Sequence, residues 1–344
     1  MQKEILSYNL EFYYPGLFYL ILYHALHFVF FFSFIYNVEL NAITLINLNK
    51  NNRYKMFVNQ KMDTWSEPYW EHIIRNIGPI TFGEQETIRT SKVAVLGVGG
   101  LGGPLAENLV RAGCQNLVIL DFDVFDESNL NRQICTINDL GKRKIDVVET
   151  FLQKIDPEVN VRKFFKITRQ NIDAVLEGVK VIALTLDDPA TSIFIAREAR
   201  KRGIPMIESW AVPFLFTWWF TPESVDYEET YGLETKKYDY FELSNLKKEI
   251  NLATFQALLP KVFTMPGVRE KYDREPGAFE EMMAGNIGAR SFTPFVRITA
   301  DLLSVDVIFS GILDIKPKNL APHLKGFDYI NMEVQETNLI PDIF

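Results

Sequence analysis

Cysteine and histidine are scarce in this chain of 344 residues, which has two of the first and four of the second. Two thiols, Cys114 and Cys135, build neither a disulfide framework nor a four-thiolate zinc site, and no His/Cys cluster has metal-ligand spacing. No cysteine follows residue 135, so the C-terminal half offers no thiol nucleophile. So few thiols suit a reducing cytoplasm. Basic runs are also few and short, GKRK at 141–144 among them. The chain has 36 Lys/Arg against 44 Asp/Glu; residues 1–61 hold five and three of these, which leaves 31 against 41, or −10, for the remainder. A body that acidic matches nucleic acid poorly, because such binding leans on clustered Lys and Arg.

Charge is absent altogether from Gly16 to Val38, a run of 23 residues rich in Phe, Leu and Tyr. As a helix it is long enough for a bilayer core of about 30 Å. It lacks the short apolar core and small-residue cleavage site of a signal peptide. Two readings of residues 1–61 stay open. One is a membrane anchor, with the following domain cytoplasmic because Lys50, Arg53, Lys55 and Lys61 outnumber Lys3 on the other side. The other is a mis-assigned start or dispensable extension, since Met56 and Met62 lie just ahead of the main domain.

From Met62 the pattern alternates strand and helix, which predicts an α/β fold: a mostly parallel sheet with helices on both faces. Strands are expected at 93–97, 117–121, 160–165, 180–186 and 205–209, with helices near 103–112, 142–155, 170–177 and 190–202. The aromatic run PFLFTWWFTP reads as one buried strand. Residues 222–290, opening on an acidic, tyrosine-rich stretch, read as a lid or substrate region. A helix over 293–313 packs back on the core, and the tail DYINMEVQE alternates like one edge strand.

The most informative segment is VAVLGVGGLGGPLAENLV, followed by LVILD. An apolar strand runs into Gly97, Gly99, Gly100 and Gly102, and a helix begins there. Glycines let the backbone approach a phosphate, and the helix N-terminus supplies free N–H groups. Asp121 ends the next strand 19 residues past Gly102, where a carboxylate reaches a ribose hydroxyl. The segment predicts a nucleotide site. By itself the glycine pattern more often marks a dinucleotide site than an ATP site.

The residues after Asp121 separate the two. Asp121-Phe122-Asp123, then Ser128-Asn129-Leu130-Asn131-Arg132-Gln133, then Lys144 resemble the D-x-D, S-N-L-x-R-Q and downstream lysine of the ThiF/MoeB/ubiquitin-activating-enzyme family of adenylyltransferases. Arg75-Asn76-Ile77-Gly78 resembles the family's R-N-I-G entry, and VKVIALTL ending in Asp187 its metal-aspartate strand. The resemblance is specific from about Trp70 to Phe220. It implies a Rossmann-like, ubiquitin-activating-enzyme-like fold with a C-terminal elaboration. It also implies ATP- and Mg²⁺-dependent activation of a carboxylate as an acyl-adenylate.

On that resemblance Asp121 holds the ribose, the four glycines wall the nucleotide, and Asn129, Arg132 and Lys144 bind phosphates. Asp187 holds Mg²⁺, with Asp188 as its rival because the family usually reads D-N there. Arg75 reaches the γ-phosphate of the other subunit in a homodimer. Lys142 is the rival of Lys144. The family's C-x-x-C zinc pairs and its thioester or persulfide cysteine are missing, so no zinc is expected and the reaction stops at the adenylate or hands it directly on. The substrate is then a small-molecule carboxylate, for example a guanylylpyridinol in cofactor biosynthesis, or the C-terminal glycine of a ubiquitin-like sulfur carrier. The alternatives are a non-catalytic nucleotide-binding scaffold and, less well matched, an NAD-dependent oxidoreductase, which leaves SNLNRQ and Lys144 without a task.

Overall fold

A computed structural model of the chain describes residues 61–245, 265, 267–284, 286–288 and 290–338. The run 16–38 lies outside them, and among the described residues no helix is long and apolar enough to cross a membrane. A separate unit begins at Thr64.

It opens with two short helices whose starts are written in the sequence. The Ser66 hydroxyl accepts the Tyr69 N–H at the head of α1 (Glu67–Ile73). Thr81 and Glu84 form a reciprocal capping box at the head of α2 (Phe82–Thr90), satisfying donors that a helix end otherwise leaves bare. Between them a single 3₁₀ turn covers Ile74–Asn76.

Then comes the expected alternation: β1 (Lys92–Leu96), α3 (Gly102–Arg111), β2 (Asn116–Leu120), α4 (Lys144–Ile155), β3 (Asn160–Phe164), α5 (Ile172–Leu176), β4 (Val179–Leu184), α6 (Pro189–Arg202) and β5 (Met206–Glu208). These five strands are parallel, in the order β3-β2-β1-β4-β5. The sheet reverses direction of growth between β1 and β4, and the crevice outside strand ends at such a point is where doubly wound sheets bind ligands.

Period-two alternation sorts the strand residues between two cores. Ala94, Leu96, Val118, Leu120, Ile182 and Leu184 pack on one face with Ile193 and Phe194 of α6. Val93, Val95, Leu117, Ile119, Val181 and Ala183 pack on the other with Leu105 and Leu109 of α3 and Val148 and Leu152 of α4. Strands apolar on both sides are what a sheet covered by helices on both faces requires.

Beyond β5 the structure corrects two expectations. The aromatic run is not one strand: it forms β6 (Phe214–Phe216) and β7 (Trp218–Phe220). β7 closes the main sheet antiparallel to β5, while β6 joins a second sheet, β6-β8-β9. Thr217 is the corner, and Trp218 and Trp219 consequently enter opposite cores. The tail is likewise two strands, β8 (His323–Asp328) and β9 (Glu333–Asn338), paired as a hairpin around Tyr329–Met332. Turns and short helices occupy the described parts of 222–290: α7 (Tyr227–Thr230), α8 (Tyr240–Asn245), α9 (Val268–Tyr272) and α10 (Ala278–Met283). The long C-terminal helix, α11 (Thr293–Asp306), widens into a π turn over Val307–Ile312. There Gly311 lies so close to the sheet that a Cβ would stand 2.7 Å from the Val181 side chain and 2.8 Å from that of Trp219.

Glu208, the last residue of β5, is 6% exposed. Its carboxylate accepts the Tyr227 hydroxyl at 3.1 Å and the Tyr231 hydroxyl at 2.5 Å, and the Trp210 indole N–H donates to Tyr231 in turn. Burial pushes the carboxyl up to about 7, against the lowering effect of the two hydroxyls. The folded state therefore holds the proton more tightly than the unfolded chain. Stability falls as pH rises from the ordinary glutamate range through about 7, by a total on the order of 3 kcal/mol. Glu208→Gln should remove that fall. Urea unfolding at pH 5 and pH 8 should show wild type losing stability between the two values and the variant holding it; parallel losses would place the pH dependence elsewhere.

Candidate active site

The glycine loop leaves β1 at the switch point, and its geometry is set by contacts that exclude a side chain. Gly97 has φ +100°, and a Cβ on it would meet the Thr185 carbonyl carbon and oxygen at 2.6 Å. On Gly102 a Cβ would fall 1.7 Å from the Gly97 carbonyl oxygen. These two glycines let β1, α3 and the end of β4 pack closely together. Gly99 and Gly100 are half-buried. A Cβ at Gly99 would have only Gln133 near it, at 3.7 Å, and one at Gly100 would approach Val296 and Arg132. Gln133 is 7% exposed, and its Oε1 has no hydrogen-bond partner. An orphaned acceptor beside an open glycine surface fits a bound group with polar hydrogens.

Thr185, which the sequence reading passed over, donates its hydroxyl to the carbonyl oxygen of Gly97 at 2.6 Å. Nothing in a lone threonine after an apolar strand announces that role; the signal would have been its place at the end of the strand next to β1.

Asp121 is 5% exposed at the end of β2. Its Oδ2 accepts the Val98 N–H at 2.9 Å and its Oδ1 the Asp123 N–H at 2.9 Å. Burial holds its carboxyl above the ordinary value, against the pull of the Asp123 N–H, Lys144 and the Val98 N–H. One carboxylate thus ties the glycine loop to the segment after β2, and its remaining lone pairs stay available for a hydroxyl donor.

Asn129, also 5% exposed, spends its amide within its own turn, donating to Asp126 Oδ1 at 2.9 Å and Ser128 Oγ at 3.3 Å. A phosphate contact from Asn129 requires one of these bonds to be exchanged. The turn presents Arg132, whose Nη1 donates to Ser128 O at 2.9 Å and Asn131 Oδ1 at 2.8 Å. Both bonds leave from Nη1. The rest of the fork faces Gly100, with Nε 3.4 Å from where a Cβ there would sit.

Lys144 begins α4 and is 7% exposed, its Nζ 2.9 Å from Asp123 Oδ2. Lys142 is paired with Asp139 at 3.2 Å. At the end of β4, Asp187 is exposed while Asp188 is 4% exposed and accepts the Thr191 hydroxyl at the head of α6. Asp188 is occupied as a helix-start residue; Asp187 is free to meet solvent and ligand. Among the described residues no group of three or more His, Cys, Asp or Glu could hold a metal ion. A lone carboxylate does fit Mg²⁺, which is commonly bound through one or two carboxylates plus substrate phosphates.

Beside this constellation lies a cavity of about 510 Å³, lined by Ser128 and Arg132, by Pro213 beyond β5, and by Lys271, Arg290 and Phe295. Arg75 is exposed and is not among the residues that line it. Its neighbour Asn76 donates to Gln85 Oε1 at 3.1 Å and Ala112 O at 3.3 Å, which pins the RNIG turn to the C-terminal end of α3. The glycine loop is at the other end of that helix, about 15 Å away. Neither thiol is primed as a nucleophile. Burial pushes Cys114 up to about 11, and burial also raises Cys135 above its ordinary value.

The chain is 31% identical over 147 residues to the SAMP-activating enzyme E1 of Haloferax volcanii, covering 42% of this chain and 53% of that protein. It is 27% identical over 136 residues to the molybdopterin-synthase adenylyltransferase of Haemophilus influenzae, covering 39% and 56%. Each match thus spans little more than half of the relative's own length. The crystal structure of Escherichia coli MccB with ATP superposes with a TM-score of 0.53 at 18% identity, over 74% of this chain and 66% of that one, a likeness of fold. The ThiF family model matches residues 73–342, and the chain belongs to the ThiF family.

Proposed function

We propose that the chain is an ATP- and Mg²⁺-dependent adenylyltransferase that activates a carboxylate. A substrate carboxylate oxygen bonds to the α-phosphorus of ATP, the bond to the bridging oxygen breaks, and pyrophosphate leaves, giving an acyl-adenylate. The observation that carries this reading is the Asp121 clamp. It brings the SNLNRQ turn and Lys144 beside the same glycine loop that a nucleotide would occupy. A dinucleotide oxidoreductase has no use for Arg132 and Lys144 there.

In this reading Gly99 and Gly100 face the nucleotide, Asp121 receives a ribose hydroxyl, and Arg132 and Lys144 take phosphate oxygens. Arg132 suits that task because its planar fork matches phosphate geometry. Mg²⁺, held by Asp187 and phosphate oxygens, would neutralise charge on the leaving group. The protein's own contribution is positioning and electrostatic preorganisation. Residues 62–344 form the catalytic domain, with 222–290 as its lid and substrate region, in a cytoplasmic homodimer. Because Arg75 lies at the far end of α3 from its own site, it is supplied to the partner's.

Arg132→Ala should lower carboxylate-dependent ATP–pyrophosphate exchange by a hundredfold or more, an effect of about 3 kcal/mol on the transition state, while leaving the circular dichroism unchanged. Exchange near the wild-type rate would place the phosphate site elsewhere. Asp187→Asn should be as damaging as that change and respond to raised Mg²⁺, whereas Asp188→Asn should chiefly lower the melting temperature; the reverse ranking would move the metal contact to Asp188. Arg75→Ala and Arg132→Ala, each inactive alone, should regain activity after subunit exchange. One site of the hybrid dimer then has its own Arg132 and a borrowed Arg75. Mixtures that stay inactive, with exchange confirmed by mass, would exclude Arg75 acting across the interface.

A further inference from the structure

Of the residues lining the cavity beside Arg132, three are cationic and none is Asp or Glu, although the whole chain carries a net charge of −8. Arg132 is accounted for by the nucleotide. Lys271 and Arg290 come from a different part of the chain, Lys271 from α9 and Arg290 from the stretch just before α11.

Lys271 is held there by a dedicated support. Its Nζ lies 2.6 Å from Asp328 Oδ1, and their side chains are 14% and 1% exposed. Asp328 also accepts the backbone N–H groups of Ile330 and Asn331, at 3.0 and 3.1 Å, and the Asn331 amide at 2.8 Å. The ammonium passes over Gly267, where a Cβ would fall 2.4 Å from it. A lysine seated on a buried carboxylate, with a glycine cleared beneath it, is fixed before any ligand arrives. Preorganised donors of this kind discriminate between ligands because no ordering cost falls on binding. The cavity also has an apolar edge, the Phe292 and Phe295 rings at 5.6 Å with Pro213 beyond them. Its volume is ordinary for a small molecule.

We propose that Lys271, positioned by Asp328, and Arg290 form a second anion subsite. The substrate is then a small molecule with one more negatively charged group besides the carboxylate that is activated. The inference rests on the adenylation reading for the placing of the first carboxylate. The glycine tail of a ubiquitin-like carrier brings a single carboxylate and makes no use of a second cationic subsite.

The test uses the full chain with Mg·ATP and three matched pairs: succinate, glutarate and phthalate, each against its monomethyl ester. Calorimetry should show at least one diacid binding tenfold or more tightly than its half-ester. The difference should vanish in Arg290→Ala and in Lys271→Met/Asp328→Asn, a double change that removes the cation without stranding the buried carboxylate. It should survive in Lys271→Arg. Half-esters binding as well as diacids, a difference that persists in both charge-removing variants, or binding of none of the pairs would each overturn the subsite. ATP affinity falling in those variants by the same factor would make Lys271 and Arg290 phosphate contacts, and would overturn it too. Failure of the wild-type chain to bind ATP would instead sink the adenylation reading itself.

Discussion

The Asp121 carboxylate is the junction on which the site depends. It receives one backbone N–H from the glycine loop and one from the segment that follows β2, so two loops from neighbouring strands share a single anion. Buried with a cation nearby but not directly bonded, it remains an acceptor for a hydroxyl group. Removing it would release Val98 and Asp123 together, and through Asp123 it would unseat Lys144. The geometry of the glycine loop and the seating of Lys144 are therefore not separable properties of this fold. The cost is a carboxyl group held in a poorly solvated place, where burial disfavours its charged form.

Much of this was readable in the residues. The five parallel strands and the four helices between them lie within about two residues of where apolar periodicity puts them, because buried strands and amphipathic helices carry strong local patterns. The spacing from Gly102 to Asp121 likewise depends only on one βα unit. What the pattern missed depends on contacts distant in sequence. Thr217 breaks an unbroken aromatic run because Asp306, on α11, takes its hydroxyl in a buried hydrogen bond, and no local signal carries that. The hairpin in the tail was hidden because Met332 takes a positive φ of 58°, where glycine or asparagine would have advertised the turn.

At the site the same division holds. Residue types suited to phosphate were identifiable, but their division of labour was not. Four glycines look equivalent in the sequence, yet Gly97 and Gly102 serve the packing of strand against helix, and Gly99 and Gly100 face outward. Asn129 looks like a phosphate ligand, and in this state its amide holds the turn that presents Arg132. Asp187 and Asp188 are adjacent and chemically identical. Only the start of α6, which claims Asp188, tells them apart. Lys271 and Asp328 are 57 residues apart, and neither sits in a recognisable motif.

The corner at Thr217 has a mechanical consequence. One residue separates a strand of the small sheet from the edge strand of the large one, so the two sheets cannot slide or rotate independently without tearing hydrogen bonds in both. The stretch just before that corner, which includes Pro213, is one wall of the cavity. That wall is accordingly stiff, and its shape is decided when the sheets assemble. A lineage changing its substrate would alter side chains on this wall or rebuild the opposite one, where short helices joined by turns leave the backbone freer to diverge.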